Sequence, residues 1–136
     1  MSGASWELQK AVFAALGADA GVTALIGDPA RIYDDAPAGA ALPYVAIGED
    51  IETDWSTATE AGSEHALTIH IWSRAGGRKE AKAILAAIRD ALHDAAPALD
   101  DHAVVNLRFQ FAHVLREPDG ETWHGIARFR AVTEAT

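Results

Sequence analysis

The sequence predicts an α+β domain: a single four-stranded, mainly antiparallel sheet with helices packed on one face, in the order ααββαββ. Three observations predict it. Over residues 65–73 apolar and polar residues alternate, so Leu67, Ile69 and Ile71 fall on one strand face and Thr68, His70 and Trp72 on the other. After Gly76-Gly77 the period changes, and Ala81, Ile84, Leu85, Ile88 and Leu92 form one helical stripe. Two further alternating stretches then flank "EPDG" (Glu117 to Gly120), a turn with suitable residue chemistry.

Taken in order, residues 5–16 read as a first helix. Leu8, Val12 and Ala15 mark one edge of its apolar sector, Trp6 and Phe13 the other, and Gly17 is a natural stop. Asp19 can cap a short second helix, residues 20–26, which Gly27 closes. A brief extended piece at Ile32 and Tyr33 lies between loop segments. Pro43 opens a strand to about Ile51, with Val45, Ile47 and Ile51 on one face. Residues 52–63, "ETDWSTATEAGS", read as an extended loop or arm carrying an exposed aromatic, Trp55. They are long for a hairpin connection, which usually takes about two to five residues. Following the 78–93 helix and a linker, a strand over residues 104–116 places Val105, Leu107, Phe109, Phe111 and Leu115 on one face. The last strand, residues 121–132, places Trp123, Ala127 and Phe129 on one face and Arg128 and Arg130 on the other. A helix between two hairpins also permits a parallel pairing at the sheet centre, so the strand order stays open.

The 136 residues fit one domain, 1–136, large enough for a core without disulfides or metal. There is no cysteine, which removes disulfides, thiolate metal sites and thiol catalysis. Neither a signal peptide nor a membrane span is expected of the N-terminal stretch, which is helically spaced and interrupted by Glu7, Gln9 and Lys10. The net charge of −9 has the wrong sign for a protein gripping nucleic acid through phosphates.

No constellation of catalytic residues stands out. The six histidines include no HxH or HExxH spacing, and His65 and His70 point to opposite strand faces. His113 and His124 face each other only if the Glu117–Gly120 turn is a four-residue loop. Scattered surface histidines, without metal, are the expectation. The carboxylates at Glu49, Asp50, Glu52 and Asp54 have no apolar setting opposite a partner, and Asp50 with Glu52 reads as a solvated acidic edge. Gly76-Gly77 before Arg78-Lys79 lacks the remaining positions of a phosphate-binding loop. No GxSxG or SxxK nucleophile is present. The non-core sheet face is richer. Thr68, His70, Trp72, Arg108, Gln110, His124, Ile126, Arg128 and Arg130 include the aromatic and arginine types enriched at protein interfaces. A solvated face with cross-strand ion pairs is the alternative.

Three stretches together carry a family likeness: "LQKAVFAALGADAGVTALIGDPARIYDDAP…LPYVAIGED", "HALTIHIWSRAGGRKEAKAILAAIRDAL" and "DGETWHGIARFRAVTE". The chain resembles the tail terminator (tail completion) proteins of long-tailed phages and phage-like gene transfer agents, over nearly its whole length and in register. No single motif is diagnostic; the combination is. The resemblance implies a structural virion protein with no cofactor and no reaction, assembled in the host cytoplasm. Such proteins form a ring, commonly hexameric, that caps the head-proximal end of the tail tube, stops its polymerisation and offers a surface to the head–tail connector or stopper. Implied partners are other copies of the chain, the major tail tube protein and the connector, with DNA passing through unbound and no membrane involved. Trp55, Thr57, His70, Trp72, Arg108, Arg128 and Arg130 are then candidates for subunit or partner contacts. Glu49, Asp50, Glu52, Asp54 and Glu60 are candidates for the channel, where carboxylates would repel phosphates. The competing reading is a small dimeric α+β ligand-binding protein or enzyme using the sheet face around His70, Trp72 and Arg130.

Overall fold

A computed structural model describes residues 3–136. Helix α1 (Ala4–Ala18) buries Leu8, Val12 and Leu16 and runs through Gly17, one residue past the expected stop. At the helical increment of about 100° per residue, Trp6 lies about 160° from Leu8 and Phe13 about 100° from Val12. Both therefore leave the core, at 50% and 49% exposure, rather than forming the second edge of its apolar sector. Helix α2 (Ala20–Ile26) starts as its cap predicts: Val22 N–H donates to Asp19 Oδ2 at 3.0 Å. Gly27 ends it with φ at +93°, a conformation that favours glycine.

The sheet has five strands, not four, and is mixed rather than mainly antiparallel. The extended piece β1 (Ile32–Tyr33) pairs in parallel with β2 (Tyr44–Asp54), where Val45 N–H donates to Arg31 C=O at 2.9 Å. Then follow β3 (Gly62–Ser73), helix α3 (Lys79–Leu92), β4 (His102–Arg116) and β5 (Trp123–Ala135). The spatial order is β1-β2-β3-β5-β4, so α3 carries the chain past β3 to the far edge and β5 returns between them. The core lies between the sheet and the helices, where Leu67, Ile69, Ile71, Ala127, Phe129 and Ala131 meet Leu8, Val12, Ile84, Leu85, Ile88 and Leu92. The apolar stripe read on α3 is its buried face.

Three β-bulges account for most differences from strict alternation. In β2, Ile47 pairs with Ile69 but Asp50 with Leu67, so Gly48 and Glu49 together oppose Thr68. The extra residue flips the phase: Ile51, expected beside Val45 and Ile47, is 57% exposed, and Asp50 turns inward. In β4, register shifts between Val104 and Asn106 and between Phe109 and Phe111 leave Leu107 and Phe109 inward. Val105 and Phe111 turn outward, Leu115 lies opposite His124, and Val104 and Val114 take the vacated core positions.

The connection expected over residues 52–63 is shorter. β2 runs to Asp54 and β3 begins at Gly62, with Trp55 N–H bonded to Gly62 C=O at 2.9 Å, so only residues 55–61 form the turn. β3 is paired with β5 from Gly62 to Ser73, so the hairpin lies within the sheet plane and not apart from it.

Candidate interaction surfaces

Strand alternation places a row of rings on the sheet face away from the helices. Tyr33 meets Tyr44 edge-on at 5.7 Å, Tyr44 stacks on Trp72 at 5.2 Å, and Trp72 stacks on His124 at 4.6 Å with planes 11° apart. His70 joins the row, with its ring over Gly48; a Cβ there would lie 2.6 Å from the imidazole. The bulge glycine is thus needed for close approach rather than for an unusual φ.

The two histidines form a continuous hydrogen-bonded chain. His124 Nδ1 lies 2.8 Å from Glu117 Oε1, and His124 Nε2 lies 2.8 Å from His70 Nδ1. Glu117 accepts only, so His124 donates through Nδ1 and its Nε2 accepts from His70 Nδ1–H. His70 Nε2 stands 3.6 Å from Glu49. Burial, with the charge of His70, holds His124 below its ordinary value, while Glu117 works in the opposite direction. Glu49 is held below its ordinary value by its own backbone N–H, with His70 and Arg128 adding to the effect. Three of the six histidines are therefore not scattered surface groups: His65 is buried in the core, and His70 pairs with His124. His113 does not face His124. The loop spans residues 118–121, with Glu117 N–H bonded to Thr122 C=O, which sets His113 opposite Ile126. No group of three or more histidine or carboxylate ligands positioned for a metal occurs among the described residues.

Farther along the same face, Arg128 Nε donates to Thr68 Oγ1 at 2.9 Å, and Arg130 Nε donates to Glu64 Oε2 at 2.8 Å. Arg130 also lies over the Trp55 ring at 5.4 Å, which brings together two of the expected contact residues from distant parts of the chain. Arg108 faces Arg130 in register and pairs with Asp94 at 3.2 Å. Thr57 acts within its own turn, where its Oγ1 accepts from Glu60 N–H at 3.1 Å and closes the hairpin.

The acidic set divides. Asp50 leaves it, because the bulge buries its side chain to 6% exposure, where Oδ2 accepts from Ser5 Oγ at 2.8 Å and meets His65 Nδ1 at 3.0 Å. His65 is fully buried and its Nε2 lies 2.9 Å from Thr133 Oγ1. The expected solvated edge of Asp50 and Glu52 is thus half a core network. Glu52 accepts from Ser63 Oγ at 2.6 Å and Asp54 from Ser56 Oγ at 2.7 Å, both on the helix side of the sheet. Glu49 and Glu60 remain exposed, and Glu60 raises the Glu134 carboxyl above its ordinary value through a hydrogen bond and its charge.

Sequence reasoning missed Tyr33 and Tyr44 as members of the ring row and Glu117 as the carboxylate bonded to His124. The tyrosines were recoverable from alternation beside Ile32 and Val45; Glu117 required the true turn length. The arrangement offers a self-stacked row of aromatic side chains flanked by arginines, the residue types enriched where proteins meet.

A model of the tail completion protein gp17 family matches residues 10–134. Tail completion protein gp17 of Bacillus phage SPP1 is 31% identical over 90 residues, a match spanning 65% of this chain and 65% of that protein. A chain from the virion of a native gene transfer agent particle superposes with a TM-score of 0.89 at 33% identity, covering 99% of this chain and 100% of that one. Matched by the family model over most of its length, and by a virion chain over nearly all of it, the chain belongs to the tail completion protein gp17 family and is a structural tail protein.

Proposed function

We propose that the protein is the terminator of a phage-type tail: a hexameric ring that caps the head-proximal end of the tail tube, ends its polymerisation and supplies the surface for the head connector. The observation that carries this reading is the match of fold over nearly the whole chain, at 33% identity, with a chain that is itself part of a gene transfer agent virion. The shape of the subunit supports it. β1 covers β2 only at Val45 and Ala46, and β4 closes the opposite side of the sheet with one partner, so one subunit offers two different edges. Unlike edges join head to tail, and such contacts close into rings when the rotation per subunit permits.

Within the ring, the face bearing Trp72, His70, Arg128 and Arg130, with Trp55, Thr57 and Arg108, serves contacts with neighbours, tube or connector. The exposed carboxylates Glu49 and Glu60 stand on the channel, with Glu52 and Asp54 at the boundaries between subunits. In the channel, Glu49 and Glu60 keep DNA moving past without adhesion.

The test is light scattering and negative-stain microscopy of the purified protein, alone and with tail tubes. Rings, or a cap on one tube end, are the expected result. A dimer indifferent to tubes would return the sheet face around His70, Trp72 and Arg130 to the ligand-binding reading.

A further inference from the structure

Charge is sorted between the two sides of the sheet. From Tyr44 to Ala61, β2 and the hairpin turn carry Glu49, Asp50, Glu52, Asp54 and Glu60 and no basic residue. On the opposite side, β4 carries Arg108, Arg116 and two histidines and no carboxylate. Beside β4 lies an open groove of about 480 Å³, floored by Leu85, Phe109, Ala112 and Val114 and rimmed by Arg78, Lys82 and Arg89. Arg78 and Arg116 both lie 4.5 Å from the Trp123 ring, and Arg89 lies over Phe109 at the same distance. None of Arg78, Lys82, Arg89 or Arg116 pairs with a carboxylate among the described residues. In a chain of net charge −9, that concentration of unpaired cations calls for an acidic occupant.

We infer that the groove between α3 and β4 receives the acidic β2–β3 hairpin of a second copy of this chain, with the open edge of its β2 laid beside the open edge of β4. The contact rests on the self-assembly proposed above and specifies how neighbours join. Backbone geometry permits it. Asp94 N–H takes Leu107 C=O at 2.8 Å and His93 Nδ1 takes Phe109 N–H at 3.0 Å, so the α3–β4 linker caps this edge only around those residues. Residues 110–116 continue beyond the cap. On the other side, β2 is an open edge from Ile47 onward. β4 runs antiparallel to β2 within one subunit, because β3 and β5 intervene with alternating directions. By register Glu52 and Asp54 lie level with Leu107 and Val104, so a neighbour whose β2 runs antiparallel to β4 reaches the groove when the rotation axis is inclined to the strands and its β2 is displaced along β4 toward residues 110–116. Pairing β4 with a second β4 would bring like charges together.

Side chains divide accordingly. Glu52 and Asp54, on the helix side, meet the basic rim, and the half-exposed Ile51 and Trp55 supply apolar surface at the same boundary. Glu49 and Glu60 are left for the channel.

A charge swap tests the contact. Lys82→Glu with Arg89→Glu, and separately Glu52→Lys with Asp54→Lys, are each expected to weaken assembly at least about tenfold in sedimentation or on tubes, because like charges then face each other. All four changes in one chain are expected to restore it. Thermal melting of each variant shows whether the subunit itself stays folded. Rings from the groove variant at wild-type concentration would overturn the contact while leaving the ring reading intact. Failure of the wild-type chain to assemble, alone or on tubes, would overturn both. Intact rings together with loss of binding to a short DNA duplex would assign the groove to nucleic acid and overturn the inference.

Discussion

The His70–His124 cluster and the α3–β4 groove are both polar gatherings built on strands and turns, but they treat their polar groups oppositely. In the cluster every ring nitrogen has a neighbour within the same subunit: Glu117 at 2.8 Å, the other histidine at 2.8 Å and Glu49 at 3.6 Å. In the groove Lys82 and Arg89 face solvent, with no carboxylate partner among the described residues. Groups that satisfy one another internally belong to folding and local order. Groups left without partners on a shaped surface are free to favour association. The contrast separates what stabilises one copy from what recruits the next.

The strongest way to break the contrast is at its most internal member. Asp50→Ala removes the carboxylate facing the fully buried His65, and a loss of about 3 kcal/mol in urea denaturation is expected, as for a buried polar pair deprived of one partner. Unchanged stability would mean that Asp50 is in contact with water after all. Gly48→Ala comes next. Its Cβ would press on the His70 ring, and a loss of about 1–3 kcal/mol should accompany a changed near-ultraviolet signal from Trp72.

Acidity sharpens the contrast more gently. His124 is held below its ordinary value of 6.5 by burial and by His70, so the unfolded chain binds its proton more readily. That stabilising contribution is present in full above 6.5 and is lost as the pH falls from there through the depressed folded value. The melting temperature should decline over that interval, and His124→Gln should flatten the decline. Smallest of all for the isolated subunit is Lys82→Glu with Arg89→Glu. It should change folding stability by less than about 1 kcal/mol, since only the Arg89–Phe109 contact is lost. A much larger loss would place the groove cations among the internally satisfied groups.

Much of this was legible in the sequence wherever one periodicity ran unbroken. Leu67, Ile69 and Ile71 on β3, Ala127 and Phe129 on β5, and Ile84, Leu85, Ile88 and Leu92 on α3 are buried as their spacing indicates. Legibility failed where a single residue altered a count. Bulges in β2 and β4 reversed Ile51, Val105 and Phe111, and a displaced turn moved His124 away from His113. The two-residue strand β1 was visible only as an extended fragment, because parallel pairing with Val45 and Ala46 has no local signature. The functional surface was half legible. Residue type singled out His70, Trp72, Arg128 and Arg130, but the sorting of charge to opposite edges depends on strand order, which a linear chain does not display.

Gly48 and Glu49, two residues standing where one would suffice, set the parity of the rest of β2. Remove one of them in frame and the remainder of the strand keeps its composition but exchanges its sides: Ile51 turns to the interior, Asp50 to water, and the carboxylates of Glu52 and Asp54 to the opposite surface. At this point in the gene, losing one codon rewrites a surface more thoroughly than any single substitution. Chain length is constrained here as tightly as residue identity.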